Sequence, residues 1–169
     1  MIRYKARWVI YGNYQVANIN YDYMYAAVVT LTACRILLAL IVVYNLKAYQ
    51  INIITAFLNS FIRKHSIYIR QLKGFKDNNR MLVCLLLKAI YGLKQAPLLW
   101  YNTLTEYLKM IGFEPIDEDP CVFWYHEHQD AYLCLYIDNI IIAAAIILVI
   151  KTLKELLRKW YNIKDLGEL

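Results

Sequence analysis

The run LCLYIDNIII at residues 133–142 places one acidic residue, Asp138, between two apolar segments. Asp138 and Asn139 read as the tip of a tight β-hairpin, which would present a carboxylate to solvent or to a metal ion. Asp and Asn are also simply the residues that such turns prefer. Cys121, His126, His128 and Cys134 can be drawn as a zinc set, but the spacing Cys-x4-His-x-His-x5-Cys follows no familiar ligand grammar. Asp117, Glu118 and Asp119 read as a solvated acidic loop. The sequence shows no nucleophile, base and acid arranged as a triad, and no glycine-rich phosphate cradle.

The elements that would position Asp138 follow from periodicity. Cys121–His126 and Ala131–Tyr136 read as apolar strands separated by a polar turn at 128–130, and Ile140–Ala143 continues after the tip. Leu31, Cys34, Leu37, Leu38, Ile41 and Val42 recur at helical spacing, predicting a helix over Thr30–Asn45. Tyr49–Phe57 reads as a strand that runs into a turn at Asn59-Ser60. Pro97 opens a helix that runs to Met110, and Gly112 ends it. Leu148–Trp160 reads as an amphipathic helix with Lys151, Lys154, Arg158 and Lys159 on its basic side. Residues 4–16 read as a strand and turn, 19–25 as a Tyr-rich loop, His65–Arg70 as a short alternating segment, Gly74–Arg80 as a polar loop, and Met81–Ala89 as a candidate strand. Strands and helices mixed without regular βαβ alternation predict an α+β fold.

Composition bounds the function. The chain has 169 residues, 60% of them hydrophobic, and a net charge of +6. Such a chain can bury ample apolar surface, which excludes intrinsic disorder. The modest positive charge suits a polyanionic partner. Four widely spaced cysteines without a Cys-x-x-Cys pair, and an N-terminus without an apolar signal core, predict a reducing, intracellular setting, cytoplasm or nucleus. The chain carries 22 Ile, 16 Tyr, 12 Lys and 11 Asn against 14 Ala, 7 Arg, 5 Gly and 3 Pro. The abundant residues are those written with A/T-rich codons, so an A/T-biased gene accounts for the hydrophobicity. A membrane is the competing account. A spanning helix needs about 20 mainly apolar residues. Arg35 interrupts Ala26–Tyr44, Asp138 interrupts Ala131–Ile150, and the uncharged run Ile140–Ile150 is only 11 residues long. A charge at mid-span costs about 2.5–3.5 kcal/mol. Buried helix and strand is the better reading, with a small membrane protein as the alternative.

Eight segments occur in order: YKARWVIYGNYQ, VVTLTACRILLAL, YQINIITAFLNS, IYIRQLKGF, VCLLLKAIYGLKQAPLLWY, GFEPIDEDPCVFW, LCLYIDNIII and IKDLGEL. Together they resemble the reverse transcriptase domain of copia-type LTR retrotransposon polyproteins, from Lys5 to Leu169. YGLKQAPLLWY is the most specific piece, followed by TAFLN and DPCVF. The resemblance implies a partial fingers–palm polymerase fold, with an antiparallel palm sheet backed by helices. Residues of about 1–25 would be a fingers remnant, and about 26–169 the palm with inserted fingers elements. It also implies RNA-directed DNA polymerisation by two-metal phosphoryl transfer, with Mg²⁺ as cofactor and RNA/DNA primer-template and dNTP as partners. The family's metal ligands are three aspartates. Their positions here are Asn52, Asp138 and Asn139, so only Asp138 keeps a carboxylate. An amide is a weak ligand for a hard dication and can turn N–H donors toward it. The expectation is a catalytically impaired copy. The alternative is a nucleic-acid-binding remnant without catalysis.

The resemblance carries other positions over. Phe57 falls where such polymerases place an aromatic ring against the sugar 2′ position. Lys5 and Arg7 match basic fingers residues, and Lys94 and Gln95 match the loop that borders the nucleotide and template. Trp100 and Tyr101 are read as packing residues. Tyr11, Ile54 and Ala27 depart from basic, Lys and Pro positions of the family, and lost bases weaken phosphate contacts. Asn52, Asn139, Ile53, Ile137 and Ser60 each differ from the family residue by a change that one G-to-A transition produces, the pattern of a decayed element. The resemblance further implies fingers strands before RYKAR and palm and thumb after DLGEL. Roughly a third of the module would then be absent, with core and sheet edge exposed and solubility poor.

Overall fold

The computed structural model describes residues 6–75, 81–125 and 128–169, and of 128–130 the backbone alone. The fold is α+β. Its three helices are α1 (Leu31–Val43), α2 (Ala96–Met110) and α3 (Ile147–Trp160). Its strands are β1 (Lys47–Ile53), β2 (Tyr68–Arg70), β3 (Val83–Leu85), β4 (Phe113–Pro115), β5 (Val122–Tyr125), β6 (His128–Tyr136), β7 (Asn139–Ala144) and β8 (Ile163–Glu168). The chain divides into two compact units, one of residues 1–25 and 57–100, the other of 26–56 and 101–169.

The second unit is built on an antiparallel six-stranded sheet in the order β4-β5-β6-β7-β1-β8. Alternation along β1 sends Ile51 and Ile53, both fully buried, to one face. The side chains of Ala48 and Asn52 leave on the other. On the first face α3 lies over the sheet, with its Lys154 ammonium 3.9 Å from the centre of the Tyr49 ring. The Tyr107 hydroxyl of α2 donates to Leu156 O of α3 at 2.6 Å. On the second face α1 covers the end remote from Asn52. Its Leu37 packs with Val122 and Cys134, while Ile41 reaches Leu46, Ala48 and Ala143.

α1 starts at Thr30, whose Oγ1 accepts from Ala33 N at 3.1 Å. The Asp119 carboxylate secures that start. Oδ2 accepts from Thr30 N at 2.8 Å and Oδ1 from Cys121 N at 2.9 Å. Asp119 is therefore buried, not part of a solvated loop, because it satisfies backbone donors that would otherwise be orphaned.

In the first unit β2 and β3 form a two-stranded sheet. Gly92 has φ +93°, and a Cβ there would lie 1.9 Å from Ile10 O. One at Gly12 would lie 2.1 Å from Gly92 O. The tight approach of these two segments is the physical content of the Tyr91-Gly92 step in YGLKQAP.

Several expectations need correction. Residues 6–11 carry no strand, and the 3-10 turn Gly12–Tyr14 follows. The backbone there bonds to Tyr91 O through Ile10 N and builds no ladder. Met81–Ala89 narrows to Val83–Leu85. Residues 128–130 belong to β6 rather than to a turn. Asn139 opens β7, so the hairpin turns at Ile137 and Asp138. No helix among the described residues is long and apolar enough to cross a membrane.

Candidate active site

Asn52, Asp138 and Asn139 come together at one end of the sheet. Asn52 is the last-but-one residue of β1 and the cross-strand partner of Asn139 on β7. Ile53 N donates to Asp138 O at 2.7 Å, which fixes the hairpin turn against the end of β1. The turn is sharp enough to put Ile137 at φ +58°, a left-handed conformation that a β-branched side chain adopts only under strain.

The three polar side chains form a directed chain. Asn52 Nδ2 donates to Asn139 Oδ1 at 3.2 Å and lies 3.4 Å from Asp138 O. Asn139 Nδ2 donates to Asp138 Oδ1 at 3.2 Å. Each amide thus aims its N–H at the next oxygen, and the chain ends on the Asp138 carboxylate. Carboxylates at all three positions could not keep these separations without a cation between them, because like charges at such distances repel strongly. The amides close the cluster with hydrogen bonds alone.

Lys164 belongs to the same neighbourhood. It is the partner of Asn52 on the other flank of β1, across the β1–β8 ladder, so its side chain leaves the same face. The site therefore holds one carboxylate and two amides, with Lys164 leaving the same face of the sheet on the neighbouring strand. A pair of hard dications prefers several carboxylate oxygens. This donor set does not fit such a pair. Among the described residues no group of three or more His, Cys, Asp and Glu side chains is placed to hold a metal ion. That statement covers Cys121 and Cys134; His126 and the side chain of His128 lie outside the described residues. Burial pushes the thiols of Cys121 and Cys134 up to about 12, which disfavours the thiolate that zinc would need.

The remaining expected residues fall in the first unit. Phe57 sits in the 3-10 turn Ala56–Asn59, buried, with its ring 4.6 Å from that of Tyr91. The Arg7 guanidinium lies 4.9 Å from the centre of the Tyr91 ring. Tyr91 thus holds Phe57 and Arg7 together. Lys94 Nζ donates to Gln15 O at 3.3 Å and to the Tyr21 hydroxyl at 3.2 Å, and lies 5.0 Å from the centre of the Tyr21 ring. Gln95 is buried, donates to Asn20 O at 2.9 Å, and accepts from Gln15 Nε2 at 2.9 Å. Both side chains hold the loop at 15–21 in place. Lys5 lies outside the described residues.

Sequence reading missed Lys164 and Tyr91. IKDLGEL does not show that Lys164 faces Asn52, which only the β1–β8 register sets. IYGLK does not show that the Tyr91 ring meets Phe57 and Arg7, residues far from it in sequence.

A family model described as "Reverse transcriptase (RNA-dependent DNA polymerase)" matches residues 1–169. The chain is 35% identical over 170 residues to a retrovirus-related Pol polyprotein from transposon TNT 1-94 of Nicotiana tabacum, covering 99% of this chain and 13% of that one. It is 34% identical over 169 residues to the corresponding polyprotein from transposon RE1 of Arabidopsis thaliana, covering 99% and 12%. It is 31% identical over 168 residues to the transposon Ty1-DR5 Gag-Pol polyprotein of Saccharomyces cerevisiae, covering 98% and 9%. No solved structure matches the chain at the stringency that these relatives pass.

Proposed function

The chain belongs to the reverse transcriptase (RNA-dependent DNA polymerase) family, and from that premise we propose that it is a retrotransposon polymerase domain impaired in its metal chemistry. In this reading Asn52, Asp138 and Asn139 occupy the family's three ligand positions. The observation that carries the proposal is the hydrogen-bond chain Asn52–Asn139–Asp138. It spends both amides on each other and on the lone carboxylate, and it turns N–H donors toward the place where a cation would need oxygens. Mg²⁺, the family's expected cofactor, is then held weakly at Asp138, and Lys164 on the same face opposes it further.

Substrate binding is retained in this reading. Phe57 and Arg7, held on Tyr91, and Lys94 and Gln95, held on the loop at 15–21, border a primer-template and dNTP. Residues 1–25 are fingers, and 26–169 are palm with inserted fingers elements. The grouping of 57–100 with 1–25 in one compact unit supports an insertion there. The six-stranded antiparallel sheet, with α3 on one face and α2 bonded to α3, supports the palm assignment.

Primer extension on poly(rA)·oligo(dT) tests the reading, with Mg²⁺ and separately with Mn²⁺. The unaltered chain is run beside Asn52→Asp/Asn139→Asp. The expected result is extension by the double variant and none by the unaltered chain. Equal extension by both overturns the proposal. Extension by neither, with both folded by circular dichroism, moves the lesion away from the two amides.

A further inference from the structure

Trp160 ends α3, yet its side chain is 66% exposed. One side of its ring is backed by Tyr107 of α2, with ring centres 5.7 Å apart, and Tyr107 also meets Tyr161 edge-on at 5.5 Å. The indole is thus held from behind and open in front. It lines a surface cavity of about 540 Å³ together with Arg158, Lys159, Tyr161, Asn162 and Ile163. Arg158 and Lys159 are both exposed, and Arg158 is only loosely engaged, at 3.7 Å from Asp165 Oδ2.

A large aromatic face flanked by two flexible cations is a combination with a specific use. The indole offers a π-surface to a planar base, and the cations offer charge to the phosphates on either side. An amide, Asn162, adds a donor and an acceptor at the cavity wall. The two cations do more than offset the partial negative charge of the α3 C-terminus, which is worth about half an elementary charge. The chain's net charge of +6 adds long-range attraction for a polyanion.

We propose that this cavity is a stacking site for single-stranded nucleic acid, with a base on Trp160 and the flanking phosphates on Arg158 and Lys159. The site lies at the end of the sheet that carries Asn52, since Ile163 pairs with Ile53 and Ile54 N donates to Asn162 O at 2.8 Å. It needs neither a metal ion nor a nucleotide triphosphate. It goes beyond the polymerase reading and stands without it.

Fluorescence anisotropy of a short fluorescein-labelled oligo(dT), with EDTA present, tests the proposal over a series of salt concentrations. Trp160→Ala weakens binding about tenfold, the range expected for one lost base stack. Trp160→Phe, which keeps a ring against Tyr107, recovers most of the loss. Arg158→Gln/Lys159→Gln lowers the slope of log affinity against log salt by about 1.4, two phosphate contacts' worth for a single strand. Because both of those side chains are exposed, this variant keeps the proposal testable if Trp160→Ala loosens α3. The proposal is overturned if Trp160→Ala and the double variant both bind like the unaltered chain. Absence of binding at low salt overturns it too, as does binding to anionic phospholipid vesicles in preference to the oligonucleotide. Failure of the polymerase reading appears separately, in primer extension by the Asn52 and Asn139 variants.

Discussion

Ser60 is fully buried, and its hydroxyl has no hydrogen-bond partner. Its backbone is satisfied, with N donating to Phe57 O and O accepting from Ala89 N, so only the side chain is at fault. A buried orphan hydroxyl costs about 1–3 kcal/mol. Ser60→Ala removes it without creating a large cavity, and the expected outcome is a gain of about 1 kcal/mol in a urea melt. A loss of stability would mean that the hydroxyl is satisfied in solution. Asn52 and Asn139 are the opposite case, since their amides bond to each other and to Asp138 and cost the fold nothing visible. The cysteines give a second residue-scale prediction. The thiols of Cys121 and Cys134 are pushed up to about 12 chiefly by burial. At pH 8 in the folded protein neither is alkylated by iodoacetamide within the time that Cys34 and Cys84, both half-buried, react. Peptide mapping reads the order, and early labelling of Cys134 would contradict the packing of α1 on β6.

The contact of α3 with β8 rests on a buried cation. Lys154 is 6% exposed, and its Nζ lies 2.8 Å from Asp165 Oδ2. Asp165 is held below the usual carboxylate range, first by the hydrogen bond from Lys154. Removing the acid strands a buried ammonium, whereas removing the base leaves an acid that water can reach. Asp165→Asn therefore destabilises by about 2–3 kcal/mol, at the low end for a buried pair because Asp165 is partly solvated, and Lys154→Met by about 1 kcal/mol or less. The sign with pH follows from the lowered folded value. The pair's contribution is complete above the unfolded carboxylate pKa of about 3.9 and fades as pH falls through the lower folded value. The gap between the unaltered chain and Asp165→Asn should hold from pH 6 down to about 4 and narrow as pH falls further. A gap that stays constant would remove the ion pair from the account. The same element shows what sequence could and could not reveal. All three helices and the β6–β7 hairpin were legible, because 3.6-residue periodicity and apolar runs around a turn are local signals. β8 was not, since its burial follows no alternation and its place is set by β1. The basic stripe of α3 concealed Lys154, which turns inward only because Asp165 and the Tyr49 ring await it. The meeting of Asn52, Asp138 and Asn139 was expected only through the family resemblance, for nothing local says that β1 ends beside the hairpin. Asp119 was misread because its partner, Thr30 N, lies far away in sequence.

Seen whole, the molecule has more apolar residues than its interior takes up. Leu31, Ile36, Val42, Val43 and Tyr44 of α1 and its C-terminal end are each more than half exposed, and Leu38 is 42% exposed. Leu37, by contrast, is 2% exposed and packs on Val122 and Cys134. The helix therefore has one anchored side and one apolar side facing water, and exposed apolar surface of this kind drives association. The anchored side fixes stability, while the exposed side governs solubility, and the two can be separated. Leu38→Lys/Val42→Lys leaves the anchored side untouched, adds to a net charge of +6, and places a cation in the last turn of α1, where the helix end favours it. The double variant should melt within about 0.5 kcal/mol of the unaltered chain, as exposed substitutions do. Its solubility limit should rise, and its binding of an apolar dye such as ANS should fall. Sedimentation velocity and dye titration read the second effect, and a thermal melt reads the first. A melt lowered by several degrees, with solubility unchanged, would mean that Leu38 and Val42 are buried in solution and that α1 is covered on both sides.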